Sequence, residues 1–212
     1  DTLPDIPQDF GGSRVYVPLN FNSRYNGPQL MRVCLASSLN IPAVYILYHI
    51  GIDAYMAKLS ELGFASLDGT RSSTGLSLAL GSGEVTLHEL VTAFSVFPRD
   101  GLLPGGSRVY KTDTSRIICD FLSDKNARSL GFGFAQVFDT PYPAIFKTGT
   151  SNQFQDIIAL GAVSGYTAGV WLGNFSGETV IGKTGSSIPA GIVRRILDYL
   201  VERDGPSAAQ TF

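Results

Sequence analysis

Two copies of the tripeptide Lys-Thr-Gly stand in this sequence, at residues 147–149 and 183–185. A lysine ammonium supplies positive potential and can shuttle protons, a threonine hydroxyl can bind a carboxylate, and a glycine lets an extended peptide approach the backbone closely. These residue types suit acyl transfer at a serine. A surface turn can carry the same tripeptide, so the flanking sequence must decide whether either copy has a chemical role.

The second copy overlaps another pattern, because residues 177–184 fit the phosphate-binding loop G-x-x-x-x-G-K-[ST]. Such a loop leaves a buried parallel strand and runs directly into a helix whose N-terminal amides hold the phosphates. Here Gly185 and Pro189 follow, which predicts a helix start several residues too late. Too little chain remains to complete a nucleotide-binding sheet. We therefore interpret Lys183 as a solvated turn residue.

The first copy has a more suitable context. Lys147, Thr148 and Gly149 end the apolar run PAIF and are followed by Thr150. An exposed strand edge of this kind can take up a peptide as an added strand, with main-chain hydrogen bonds that set its register. The hydroxyls of Thr148 and Thr150 could bind a substrate carboxylate.

A second candidate motif, S-x-N, is formed by Ser38 and Asn40. The serine hydroxyl could relay a proton between two lysines, and the asparagine amide could hydrogen-bond a substrate carbonyl. Serine and asparagine are also common helix caps, so a structural interpretation of this motif stays open.

Helical periodicity places S-x-N at a break between two helices. Apolar residues from Gln29 to about Tyr48 recur at helical spacing, with an interruption at residues 38–42. The preceding thirty residues, rich in Gly, Pro and Asn, indicate an ordered loop with short extended pieces. Further helices are predicted at 54–62, 87–97 and 115–122. We expect Asp53 to cap the first of these, Gly63 to end it, and Thr86 to cap the second.

The later part of the chain changes to strands. PAIFKTGT, DIIALGAVSG and YTAGVWLGNF are rich in β-branched and aromatic residues, which predicts an antiparallel meander. An amphipathic helix at 188–202 and a mobile tail at 203–212 follow. This order predicts an α+β fold in which an antiparallel sheet is covered by helices.

Composition excludes several functional classes. The net charge of −2 and the scattered basic residues argue against a nucleic-acid partner. Cys34 and Cys119 form no C-x-x-C unit, and the isolated His49 and His88 do not predict a zinc site. The longest apolar stretch, near residues 41–52, falls short of the ~20 residues that span a bilayer.

In order and spacing, the two motifs match the later part of the serine acyltransferase pattern S-x-x-K, S-x-N, K-T-G. Flanking stretches add specificity, namely LASSLNIPAVYIL, YVPLNFNSRYNGP, LSLALGSGEVTLHELVTAFSVFPRDG and AIFKTGTSNQFQDIIALGAVSGYTAGVWLGN. With them, the chain resembles the transpeptidase domain of class A penicillin-binding proteins, and the 1C subclass in particular. Residues 1–202 would be the C-terminal portion of that domain, so the resemblance implies a partial penicillin-binding, serine transpeptidase-like fold.

The resemblance also implies an activity. Such enzymes cross-link peptidoglycan outside the cytoplasmic membrane through a serine acyl-enzyme formed on stem peptides, bind β-lactams, and use no metal or organic cofactor. Ser38 and Asn40 would be the second motif and Lys147 the base or electrostatic partner of the third. Thr148, Gly149 and Thr150 would bind substrate, with the Thr150 amide as half of the oxyanion hole.

The first motif is missing, since no serine in the chain has a lysine three residues later. In the family it opens a helix upstream of the loop with which this chain begins. The chain is then either a fragment whose nucleophile lies on a preceding segment, which we favour, or a degenerate homologue. We expect the segment alone to be inactive. The resemblance alone implies that the rest of the transpeptidase domain, a glycosyltransferase domain and a membrane anchor lie upstream.

Two rival functions stay open. A β-lactamase-like hydrolase shares the three motifs, although YVPLNFNSRYNGP and LSLALGSGEVT favour the biosynthetic enzyme. A non-catalytic scaffold in a cell-wall complex would gain support if the upstream sequence lacked S-x-x-K.

Overall fold

A computed structural model of the chain describes residues 1–11, 16–69, 75–133, 135–151, 154–180, 187–205 and 212. The helices, in chain order, are α1 (Met31–Ala36), α2 (Asn40–Ile50), α3 (Ile52–Glu61), α4 (Leu87–Phe94), α5 (Thr112–Ser123), α6 (Ser129–Phe132) and α7 (Ser187–Asp204). The strands are β1 (Thr2–Asp5), β2 (Gly27–Leu30), β3 (Ile145–Thr150), β4 (Asp156–Val163) and β5 (Tyr166–Gly173). Short 3-10 turns lie at Ala65–Leu67, Leu76–Leu80, Asn126–Arg128 and Gln136–Phe138.

The main sheet is an antiparallel meander in the order β3-β4-β5, as the sequence predicts. Helix α7 covers one face, where Val193 and Leu197 pack against Phe146. Helices α4 and α5 cover the other face, where Phe94 and Cys119 share a cluster with residues of β3 and β4. The predicted α+β architecture, with an antiparallel sheet covered by helices, is therefore confirmed.

The predicted helices are present, but some boundaries differ by three residues, since α4 ends at Phe94 rather than at residue 97 and α5 begins at Thr112 rather than at residue 115. Thr86 caps α4 in a capping box, accepting from the Glu89 amide while the Glu89 carboxylate accepts from the Thr86 amide. Gly63 follows α3 with a φ of +91°, a conformation that favours glycine. The prediction for Asp53 is wrong, because Gly51 occupies the N-cap and Asp53 lies in the first turn. There its carboxylate still faces the positive end of the helix dipole.

The break between α1 and α2 is confirmed but is shorter than predicted. Helix α2 already begins at Asn40, and Pro42 lies inside its first turn. Proline is tolerated there because the first amides of a helix have no intrahelical acceptor. Residues 37–39 alone therefore form the connection.

The first thirty residues contain the short extended pieces that were expected. Strands β1 and β2 pair antiparallel, with Asp5 opposite Gly27. Leu3 of β1 packs in one buried cluster with Cys34 of α1 and Leu39 of the α1–α2 connection. This small sheet therefore forms the support beneath the connection that carries S-x-N.

At the C-terminal end, α7 runs to Asp204, two residues beyond the predicted boundary. The remainder of the predicted tail, apart from Gly205 and Phe212, lies outside the described residues, as does the Lys-Thr-Gly copy at 183–185. Within the described ranges, no helix is both long enough and apolar enough to cross a membrane.

Candidate active site

Ser38 occupies a special backbone position at the end of α1. Its φ is +57°, the left-handed region in which glycine is preferred. The Ser38 amide donates to the Leu35 carbonyl at 3.2 Å, and the Leu39 amide donates to the Cys34 carbonyl at 3.0 Å. These two bonds form a Schellman motif, which reverses the chain sharply. The reversal brings the Ser38 hydroxyl to the side of β3.

Lys147 of β3 meets that hydroxyl. Its Nζ donates to Ser38 Oγ at 2.6 Å and to the carbonyl of Thr148 at 2.8 Å. Burial, reinforced by the guanidinium of Arg128, lowers the pKa of Lys147 from 10.5 to about 8. Because the unfolded chain holds the extra proton between about pH 8 and 10.5, the destabilisation caused by burying this amine diminishes as the pH rises through that interval. The amine therefore exchanges protons near neutral pH.

The second cation, Arg128, is buried beneath β3 with 3% of its surface exposed. Its guanidinium donates to the carbonyls of Leu122 and Phe146 and lies over the ring of Phe138 at 4.9 Å. Burial lowers the pKa of Arg128 to about 10, although Asp124 opposes the shift. Lys147 and Arg128 thus both contribute positive potential to the site.

The register of β3 sets which backbone groups face the site. The backbone amide of Ser151 donates to the backbone carbonyl of Asp156 at 2.8 Å, and residues 145–150 continue the same register along β4. Because bonding pairs alternate along an antiparallel ladder, Phe146, Thr148 and Thr150 turn their N–H and C=O groups away from β4. Among the described residues this outer edge of β3 has no further strand beside it.

A cleft of about 410 Å³ opens between the α1–α2 connection and the end of β3. Ser38 and Asn40 line one side, and Thr148, Gly149 and Thr150 line the other. The structure therefore brings the six predicted site residues together, since Lys147 bonds to Ser38 from the β3 side. The arrangement could hold an extended peptide along β3 with its polar groups toward the two motifs.

Asn40 is held by the loop that precedes β2. Its Nδ2 donates to the carbonyl of Leu19 at 2.7 Å, and its backbone amide donates to Asn20 Oδ1 at 2.8 Å. On the opposite wall, Gly131 lies so close to the connection that a Cβ there would be 2.1 Å from the Ser37 carbonyl oxygen. The S-x-N segment is thus fixed from both sides.

The sequence interpretation missed Arg128, Gly131 and Asn20. Nothing in the local sequence marks Arg128 as buried, because arginine side chains are usually solvated. Gly131 has no positive φ and is required only by a neighbour distant in sequence. Asn20 lies within the stretch YVPLNFNSRYNGP, whose three asparagines after a proline were a usable signal of side chains that bond to backbone.

Comparison with known proteins supports the resemblance, although no family model matches the chain. The chain is 30% identical over 209 residues to penicillin-binding protein 1C of Escherichia coli (strain K12), a match that covers 95% of this chain and 26% of that protein. It is 29% identical over 182 residues to penicillin-binding protein 4 of Bacillus subtilis (strain 168), covering 76% of this chain and 29% of that protein. The chain therefore spans less than a third of either relative.

The fold is shared with solved penicillin-binding proteins. The crystal structure of penicillin-binding protein 1A from Haemophilus influenzae matches with a TM-score of 0.79 at 20% identity, over 96% of this chain and 39% of that one. The predicted transpeptidase-like fold and the resemblance to penicillin-binding proteins are confirmed, and the 1C subclass fits the first relative.

Two replacements of Ser38 that both remove the hydroxyl measure the cost of its left-handed backbone conformation. We expect Ser38→Gly to be more stable to unfolding than Ser38→Ala by roughly 1 kcal/mol, because alanine keeps the left-handed strain that glycine relieves. Urea denaturation of the protein containing this chain measures the difference. Equal stabilities would show that the Schellman position is not strained in solution.

Replacing Arg128 tests whether its charge lowers the pKa of Lys147. We expect Arg128→Met to raise the pKa of Lys147, because a neighbouring positive charge is lost, but to leave it below 10.5 because burial persists. Carbon-13 NMR titration of labelled lysines measures this value. The matched control is Arg116→Met, which removes an exposed arginine paired with Asp100. If both variants titrate like the wild type, Arg128 does not influence Lys147.

Proposed function

We propose that this chain, a member of the penicillin-binding protein family, supplies the second and third motifs of a serine D,D-transpeptidase that cross-links peptidoglycan stem peptides. The observation that carries the proposal is the 2.6 Å hydrogen bond between Lys147 Nζ and Ser38 Oγ beside the cleft. The nucleophile is the serine of an S-x-x-K segment in a longer protein that contains this chain. That protein acts outside the cytoplasmic membrane, held by an upstream anchor.

In the proposed reaction the nucleophile attacks the carbonyl of D-alanyl-D-alanine. The serine Oγ–carbon bond forms, the amide carbon–nitrogen bond breaks, and the departing D-alanine amine takes up a proton. An amine of a second stem peptide then attacks the acyl carbon. The new carbon–nitrogen bond forms, the Oγ–carbon bond breaks, and the proton that this amine loses passes to the serine oxygen. The Ser38 hydroxyl, which accepts from Lys147, donates its own hydrogen toward the S-x-x-K lysine and so connects the two amines.

Substrate binding follows from the orientation of β3. A stem peptide adds as a strand along the outer edge, and the Thr150 amide on that edge supplies half of the oxyanion hole. The hydroxyls of Thr148 and Thr150 bind the terminal carboxylate, and Gly149 lets the peptide approach. The side-chain nitrogen of Asn40, Nδ2, carries two N–H groups. One donates to the carbonyl of Leu19, and the second donates to a substrate carbonyl.

β-Lactams acylate the same serine, and this provides a direct test. In the longer protein, Lys147→Ala is expected to abolish labelling by fluorescent penicillin almost completely, because the proton path and the positive potential are lost. The matched control is Lys183→Ala, which alters the other Lys-Thr-Gly copy and should leave labelling intact. Labelling that survives Lys147→Ala, or is lost with Lys183→Ala, would contradict the assignment of the site.

The missing nucleophile gives a second prediction. The isolated 212 residues are expected to remain unlabelled by fluorescent penicillin, whereas the longer protein with its S-x-x-K segment becomes labelled. Covalent labelling of the isolated segment would overturn the proposed location of the serine. A longer protein without S-x-x-K would instead favour a scaffold, and rapid β-lactam turnover would favour a hydrolase.

A further inference from the structure

Asp5 of β1 is a fully buried carboxylate. It has 0% exposed surface, and the alternation along β1 places it on the same buried face as Leu3. A buried charge is tolerated only where hydrogen bonds replace its water shell. Asp5 therefore requires a set of donors close by.

Those donors come from the loop between β1 and β2. Asn20 Nδ2 donates to Asp5 Oδ1 at 2.7 Å, and Asn26 donates to Asp5 Oδ2 through its amide at 2.9 Å and through Nδ2 at 2.6 Å. Charge-assisted bonds of this kind are stronger than neutral ones. Asp5 thus fixes two asparagines of the loop at once.

The orientation of the Asn20 side chain follows from these bonds. Its Nδ2 donates both to Asp5 and to the carbonyl of Arg24 at 2.8 Å, so its two N–H groups are used. The remaining oxygen, Oδ1, must then face the other way, where it accepts the backbone amide of Asn40 at 2.8 Å. Asn40 is the first residue of α2, and the Leu39 side chain makes no capping bond there.

We propose that Asp5 and Asn20 are positioning residues for the S-x-N motif, a role that rests on the proposed function. Asp5 holds the Asn20 amide in one orientation, and Asn20 holds the start of α2. The neighbouring carbonyl of Leu19 holds the Asn40 side chain at 2.7 Å. The loop thereby sets where Asn40 and Ser38 face the substrate, although neither Asp5 nor Asn20 reacts.

The test measures the acylation rate constant of the labelled molecules separately from the labelled fraction, by stopped-flow reaction of the longer protein with fluorescent penicillin. We expect Asn20→Ala to lower that rate constant about tenfold, the usual consequence of losing one well-placed hydrogen bond. Asp5→Asn is expected to lower it less, because the Asn20 amide then adopts either orientation. The double variant should be no slower than Asn20→Ala, since both changes act through one chain of bonds.

The matched control is Asp9→Asn, which alters an exposed carboxylate of the same N-terminal segment that accepts only from Gly11 and Tyr16 among the bonds described for it. Its rate constant should equal that of the wild type. A lower labelled fraction with unchanged rate constants in the Asp5 and Asn20 variants would indicate structural support alone and would overturn the proposal.

Hydrogen exchange at the Asn40 backbone amide gives a readout that does not depend on penicillin. We expect Asp5→Asn and Asn20→Ala to speed this exchange and Asp9→Asn to leave it unchanged. A wild type that penicillin never labels would refute the proposed function, whereas unchanged exchange in all three variants would refute the positioning role.

Discussion

The hydrogen bond between Lys147 and Ser38 joins two parts of the chain that are 109 residues apart. Several elements of the described structure fix the positions of these two side chains. The sheet fixes the lysine, because β3 lies between covering helices on both faces. The Schellman motif fixes the serine, because it reverses the chain immediately after α1. Gly131 on one side, and Asn20 of the loop between β1 and β2 on the other, contact the connection that carries S-x-N. All of these contacts help to fix the position of the Ser38 hydroxyl relative to the Lys147 amine.

This constraint carries an energetic cost. A serine in the left-handed region is less favourable than a glycine, and two cations near one strand disfavour each other's charge. The pKa values of Lys147 and Arg128 are both lowered by burial, which means that the fold stabilises their charged forms poorly. Proteins place strain and destabilised charge where function requires them and compensate elsewhere. Here apolar clusters pack on both faces of the sheet that carries Lys147.

Local sequence rules were sufficient for most of the fold, and the six candidate site residues proposed from the sequence meet around one cleft. The meander, the capping box at Thr86 and the end of α3 at Gly63 all depend on near neighbours, which a single sequence displays. The rule failed at Asp53 because α3 begins at Ile52, two residues earlier than predicted, with Gly51 as its N-cap. Arg128 and Gly131 could not be predicted in this way, because their roles depend on contacts with Phe146 and Ser37. For Asn20 the neighbouring asparagines indicated bonds to backbone, but not that its partners are Asp5 and Asn40. The left-handed Ser38 was equally hidden, since glycine is the residue expected at that position.

The position of Lys147 depends on the residues that flank its Lys-Thr-Gly tripeptide. In β3 the neighbours Ile145 and Phe146 are both buried, one on each face of the sheet, so the strand has only one acceptable register. Phe146 lies opposite Gly161, where any Cβ would approach Val193 within 2.6 Å, so that only glycine leaves room for both side chains. A shift of one residue would turn Lys147 into the apolar cluster beneath α7 and turn Thr148 toward Ser38. The position of Lys147 is thus determined by the packing of the two residues before it and by a glycine on the next strand.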